Sequence, residues 1–195
     1  SESDWVLYAP NNFDPIMIHN PFIHQLSRDI GMYSPRTRFV EVFLVASGGV
    51  VASNRYNGIY VLEEKIKIGQ NRVDAGKLQP EHNKPPEVTG GYLMKCDRLD
   101  PGDYGFSAGG TSVAMVEPKE PEIRSLQRDP QEQYLRTFLN SFNTALNGAN
   151  YRDPNVGYAA YIDVEAWIDF HVLEVLSGNV DAMVLSTYLH KPRNG

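Results

Sequence analysis

Apolar and polar positions change their spacing several times along this chain, and each change marks an element. Trp5–Tyr8 is a short apolar-aromatic run that ends at Pro10. Asp14-Pro15 and Asn20-Pro21 each place a capping residue before a proline suited to a first helical turn. Phe22, Ile23, Leu26 and Ile30 then recur at helical spacing, with Gly31 as a natural stop. The pattern predicts either one kinked helix from Asp14 or a main helix from Asn20. Residues 38–45 favour a strand, and Ser47-Gly48-Gly49 supplies the turn that follows.

A second strand is expected over residues 56–66, entered through a glycine turn at Asn57-Gly58. Residues 67–89 are polar, contain three prolines and read as a surface excursion. Residues 90–97 form a third strand behind a Gly-Gly pair, and residues 112–116 a fourth, with a Gly-rich loop over residues 99–110 between them. Asp129-Pro130 opens a helix in which Tyr134, Phe138, Phe142 and Leu146 share a face before Gly148. Asp163 caps another, with Trp167, Phe170, Val175 and Leu176 mostly inside and Gly178 as its end. Residues 184–190 give a final strand. Strands come first and helices later, so the class is α+β, a mixed or antiparallel sheet followed by helices. No internal repeat and no low-complexity segment interrupts this order.

Length and composition narrow the classes. The 195 residues suit one ordinary domain, and 42% hydrophobic residues provide a core without disulfides or metals. No apolar run approaches the roughly 18–20 residues of a membrane span, and no signal-peptide pattern opens the chain. With 18 basic and 24 acidic residues the net charge is −6, which argues against nucleic acid as a partner. Cys96 is the single cysteine, so neither an internal disulfide nor a cysteine zinc cluster is available. Both ends read as cuts: the chain opens at Ser1-Glu2-Ser3 without Met, and residues 191–195 resemble a hairpin turn whose second strand is absent.

Candidate chemistry is sparse. The five histidines, His19, His24, His82, His171 and His190, make no paired metal spacing, and His171 reads as a hydrogen-bonded structural residue on an apolar helix. No nucleophile elbow or Walker loop is present. Three residues stand out. Glu64 follows alternating apolar positions in a strand, Lys95 interrupts an otherwise apolar strand, and Asp181 follows the glycine-ended helix in Gly178-Asn179-Val180-Asp181. Pattern alone also fits a solvated edge for Glu64, a water-facing side for Lys95 and an ordinary turn for Asp181. A lysine, a glutamate and an aspartate on separate elements are what phosphoryl transfer asks for.

Longer stretches carry a resemblance. Trp5-Val6-Leu7-Tyr8-Ala9-Pro10, the helix through Gly31 and the run from Arg38 to Leu44 resemble the spore-coat protein H (CotH) family. So do the run from Tyr56 to Lys65, Thr89-Gly90-Gly91-Tyr92-Leu93-Met94-Lys95, and Gly178-Asn179-Val180-Asp181. The match runs in order over nearly the whole chain. The resemblance implies a divergent protein-kinase-like fold, truncated at both ends, and an activity transferring the ATP γ-phosphoryl group to serine or threonine of a protein with Mg²⁺ or Mn²⁺. It places Lys95 at the nucleotide-phosphate lysine, Glu64 at its ion-pair partner and Asp181 at the catalytic aspartate.

Ser186 stands where many relatives carry a metal-binding Asn, and a serine hydroxyl is the weaker ligand. The family's upstream Arg-Gly-Asn segment, and its downstream Trp-Asp motif with the main metal-binding aspartate, are expected outside residues 1–195. The chain is thus expected to be a partial kinase domain, inactive alone. The resemblance also implies a secreted, cell-surface or spore-coat location. The alternative is a non-catalytic structural module for surface or coat assembly that retains the kinase-like fold and binds a coat or surface partner. Further expectations follow: Glu64 and Lys95 form an ion pair on neighbouring strands, and Asp181 sits at the mouth of a cleft between sheet and helices.

Overall fold

The computed structural model describes residues 3–46, 48–119, 122–182 and 184–195. Ser1 and Glu2, and Ser47 of the Ser-Gly-Gly turn, lie outside the described residues. The chain is α+β and divides into two compact units, residues 1–66 and residues 67–195. Its strands form two antiparallel sheets rather than the one expected. Among the described residues no helix is long and apolar enough to cross a membrane.

The first unit holds β1 (Trp5–Tyr8), α1 (His19–Asp29), β2 (Thr37–Phe43) and β3 (Tyr56–Glu64), with sheet order β1-β3-β2. Central β3 carries Val61, fully buried. Gly58 does not lead into the strand through a turn. It lies within β3 at φ +112°, beside a register shift between Val42 and Phe43, where a left-handed backbone suits glycine. Helix α1 starts at His19 with Ile18 at its N-cap and no side-chain cap, so neither Asp14 nor Asn20 caps it. The Asp14 carboxylate ties down the preceding turn, accepting from the backbone N–H of Met17 (3.0 Å) and His19 (2.7 Å). On the helix, the His24 ring meets Ser34 Oγ at 2.6 Å and Glu63 Oε1 at 3.5 Å.

The second unit contains β4 (Tyr92–Cys96), β5 (Gly105–Ala108), β6 (Thr111–Glu117), α2 (Asp129–Asn147), α3 (Val164–Ser177) and β7 (Thr187–Lys191). Its sheet runs β5-β6-β4-β7, so the last strand returns to pair with β4 after both helices. Tyr92, Met94 and Cys96 meet Phe106, Val113 and Leu135 in the core. An aromatic ladder then runs from Tyr92 through Tyr134, Phe138, Tyr161 and Phe142 to Trp167, with ring centroids 5.5–6.5 Å apart. It uses Tyr134, Phe138 and Phe142 of the α2 face expected from the pattern, whereas Leu146, expected on that face too, is exposed.

Several expectations fail here. Residues 67–89 are not a surface excursion, because Val73, Ala75, Leu78 and Val88 are buried and supply part of the core. The segment is fastened from far along the chain. The Arg193 guanidinium donates to Lys77 O and approaches His82 Nδ1, each at 3.1 Å, and Asn194 N–H donates to Thr89 Oγ1 at 3.1 Å. The Gly-rich loop contains strand β5, whose partner β6 supplies the hydrogen bonds that a glycine pattern does not advertise. Helix α3 is capped by Asp163 and stopped by Gly178 at φ +63°, as expected. Its inward face is misassigned, since Leu173 is buried whereas Val175 is 67% and Leu176 65% exposed. His171 is exposed as well.

Two outcomes follow from this packing. A Cβ on Gly90 would lie 2.2 Å from the backbone of Pro192 and Arg193. Gly90→Ala should therefore destabilise the second unit by about 1–3 kcal/mol, read as a lower urea midpoint of Trp167 fluorescence in a Trp5→Phe background. In the first unit, burial and then the Arg28 charge push the His24 pKa down from 6.5 to about 4. Between those values the unfolded chain binds more protons, so stability of this unit falls as pH drops from 6.5 toward 4. Burial raises the Glu63 pKa and opposes this trend at the acidic end. Urea midpoints of Trp5 fluorescence at pH 7 and 5 should converge in His24→Gln relative to the unsubstituted chain.

Candidate functional site

Strand alternation sets the first candidate. With Tyr92, Met94 and Cys96 turned into the core, Leu93 and Lys95 take the opposite face of β4. Lys95 lies opposite Ala114 on β6 and Tyr188 on β7, and Ala114 lies opposite Gly105 on β5. Two of the smallest residues thus lie in line with the lysine. Leu99 fills the room they leave: a Cβ on Gly105 would meet its Cδ2 at 2.7 Å. The segment over residues 97–104 is thereby drawn onto the Lys95 face. Lys95 Nζ lies 3.0 Å from Asp103 Oδ2 and 3.9 Å from Asp100 Oδ2, with the lysine side chain 13% exposed. Burial alone would lower the Lys95 pKa, but the hydrogen bond and charge of Asp103, with Tyr188 and Asp97, outweigh it and leave the value raised. The Lys95 hydrogen bond in turn holds the Asp103 carboxyl below its usual range.

Glu64 closes β3 and is 2% exposed. Arg36 grips it: the backbone N–H donates to Oε2 at 3.0 Å, Nε donates to Oε1 at 2.7 Å, and Nη2 donates to Oε1 as well. Arg36 thus supplies donors to both oxygens of the buried carboxylate. The expectation that Glu64 and Lys95 sit on neighbouring strands is corrected by the topology. Strand β3 lies between β1 and β2, whereas β4 lies between β6 and β7, and the register within each sheet leaves no place for the other strand.

Asp181 lies in the turn after α3 with an exposed carboxylate. Its N–H donates to Asn179 Oδ1 at 3.1 Å, and its carbonyl accepts from Leu185 N–H at 2.8 Å. These bonds hold the Asp181 backbone while its side chain faces outward. Ser186 is exposed and holds φ +52°, a left-handed conformation that suits asparagine better than serine. A cavity of about 430 Å³ beside α2 is lined by Thr137, Asn140, Ser141, Thr144 and Tyr161, among others, and a smaller one by Ile68, Leu78, Gly91 and Glu117. Neither has Asp181 or Lys95 in its lining, so the cleft expected at Asp181 is not one of these two. Among the described residues no three His, Cys, Asp or Glu side chains come together to hold a metal ion.

Sequence reasoning overlooked the partners of both charged candidates. Three aspartates within residues 97–103, with Pro101-Gly102 as a turn, form a signal that pointed toward Lys95. Arg36 carries no such signal, being a lone arginine before a strand. A family model described as CotH kinase protein matches residues 2–195. The chain belongs to the CotH kinase protein family. No curated protein and no solved structure matches it.

The left-handed backbone gives a physical reason for the Asn that the CotH resemblance puts at Ser186. Ser186→Asn should raise stability by about 0.5 kcal/mol, and β-branched Ser186→Val should lower it by about 1–2 kcal/mol. Calorimetric melting temperatures of the two variants should move in opposite directions.

Proposed function

We propose that this CotH-family chain has a kinase-like fold and takes part in transferring the γ-phosphoryl group of ATP to a serine or threonine hydroxyl of a protein substrate. The family match over residues 2–195 carries the reading, and the environment of Lys95 supports it. A nearly buried ammonium on a strand paired on both sides is rigidly placed, and its raised pKa keeps it charged at neutral pH. Such a charge neutralises phosphate oxygens. Asp181, exposed in an ordered turn, accepts the hydrogen bond of the acceptor hydroxyl and takes its proton as the bond to phosphorus forms. Glu64, the partner that the resemblance assigns to Lys95, is held by Arg36 instead and is given no part in the transfer.

The family name carries a divalent metal with it, and the described residues do not complete a site for one. Ser186 offers a single neutral hydroxyl, and no cluster of three acidic or imidazole ligands accompanies it. Ser186, a neutral hydroxyl where the resemblance puts a metal-binding Asn, favours a second reading, a non-catalytic module for coat or surface assembly that keeps the family's fold.

Thermal shift with ATP and Mg²⁺ or Mn²⁺ separates the two. The catalytic reading requires a nucleotide-dependent rise in melting temperature that Lys95→Ala abolishes. It also requires that Asp181→Asn keep the fold and the nucleotide shift while losing phosphoryl transfer by about 100-fold or more. An unsubstituted protein that shows no shift at millimolar ATP favours the assembly module.

A further inference from the structure

We propose that Asp103 is the positioning residue for Lys95, holding the ammonium toward incoming phosphate and acting through the lysine rather than on the substrate. This rests on the reading of Lys95 as a phosphate ligand. The support is geometric and lies wholly within the second unit. Ala114 and Gly105 leave the sheet face beside Lys95 without bulk, and Leu99 packs over Gly105, which brings the following turn across that face.

The turn delivers Asp103 in a fixed pose. Asp103 N–H donates to Asp100 O at 2.9 Å, and its Oδ2 accepts from Asp100 N–H at 3.3 Å. The next residue is tied on both sides: Tyr104 O accepts from Met115 N–H at 2.7 Å, and its hydroxyl donates to Glu132 Oε1 at 2.8 Å. Asp103 thus sits between two anchored backbone segments and is 27% exposed. Asp100, 79% exposed and 3.9 Å away, is a poor second holder. An ammonium has three N–H donors, so one bond to Asp103 fixes the side chain and leaves donors for phosphate oxygens. A flexible lysine stem ordered before the ligand arrives loses less entropy on binding.

The test uses the full chain with Asp103→Asn, Asp103→Glu and Glu64→Gln. The Lys95 pKa is read by NMR of ¹³C-labelled lysine, and ATP affinity by the concentration dependence of the thermal shift. Asp103→Asn should lower the Lys95 pKa and weaken ATP binding by roughly tenfold, with Asp103→Glu recovering part of both. Glu64→Gln should leave the Lys95 pKa in place. A Lys95 pKa unchanged in Asp103→Asn, or ATP affinity unchanged while the unsubstituted protein binds ATP, overturns the proposal. If the unsubstituted protein gives no ATP response at all, the phosphate reading itself fails, an outcome distinct from the other two. Should Asp103→Asn not fold, Asp103→Ser decides: a lowered Lys95 pKa with reduced ATP affinity in a folded protein supports positioning, and an unmoved Lys95 pKa or full affinity refutes it.

Discussion

A one-residue slip of β4 would turn Lys95 into the core and push Tyr92, Met94 and Cys96 out beneath the 97–104 segment. The second unit depends on that slip not occurring. Its register is pinned at the entry. Gly91, at φ +94°, approaches Gly76 so closely that a Cβ would lie 2.4 Å from the Gly76 carbonyl oxygen. Its N–H donates to Lys191 O at 2.9 Å. The Tyr92 hydroxyl then reaches the Val88 carbonyl at 2.8 Å and the Gln131 carbonyl at 3.1 Å, fastening the strand to the segment before it and to α2. Burial of this phenol pushes its pKa well above 10, so it stays a donor. The position of the lysine is a by-product of where the tyrosine must go.

The parts of the fold legible in the sequence are those where local pattern and tertiary packing agree. Tyr134, Phe138 and Phe142 repeat at helical spacing and meet the aromatic ladder along that same face. Asp163 and Gly178 end α3 as capping chemistry requires. The interior of α3 was illegible for the opposite reason. Ile168, Val172, Val175 and Leu176 are apolar around most of the helix, so periodicity could not single out the side that carries Leu173. Strand β5 was hidden because Gly105 and Ser107 look like loop residues, and only the unpaired edge of β6 makes them a strand. In residues 67–89 the polar composition outweighs five scattered apolar side chains that have no period.

The candidate site divides along similar lines. Lys95 and Asp181 stand out in the sequence as candidates because each follows a punctuating glycine within a few residues and differs in kind from its neighbours. Their environments were not, since ion pairs depend on which loop crosses which face. Glu64 shows this most clearly: the residue was found, but its grip by Arg36 comes from 28 residues upstream in a contact no local pattern encodes. Lys95 likewise meets a carboxylate from the turn just after its own strand, where the pattern suggests a partner on a neighbouring strand.

The stitching of residues 193 and 194 onto residues 77, 82 and 89 has a consequence for how the protein is made. These contacts span 105–116 residues of sequence, whereas every strand and helix of the first unit is complete by Glu64. On a ribosome adding roughly 5–20 residues per second, the first unit can finish folding many seconds before the far end of the second emerges. Through that interval the 67–89 segment has its core residues ready but lacks the side chains that fasten it. The last fastenings of the second unit therefore form late, and a pause in synthesis between these points leaves the 67–89 segment without them.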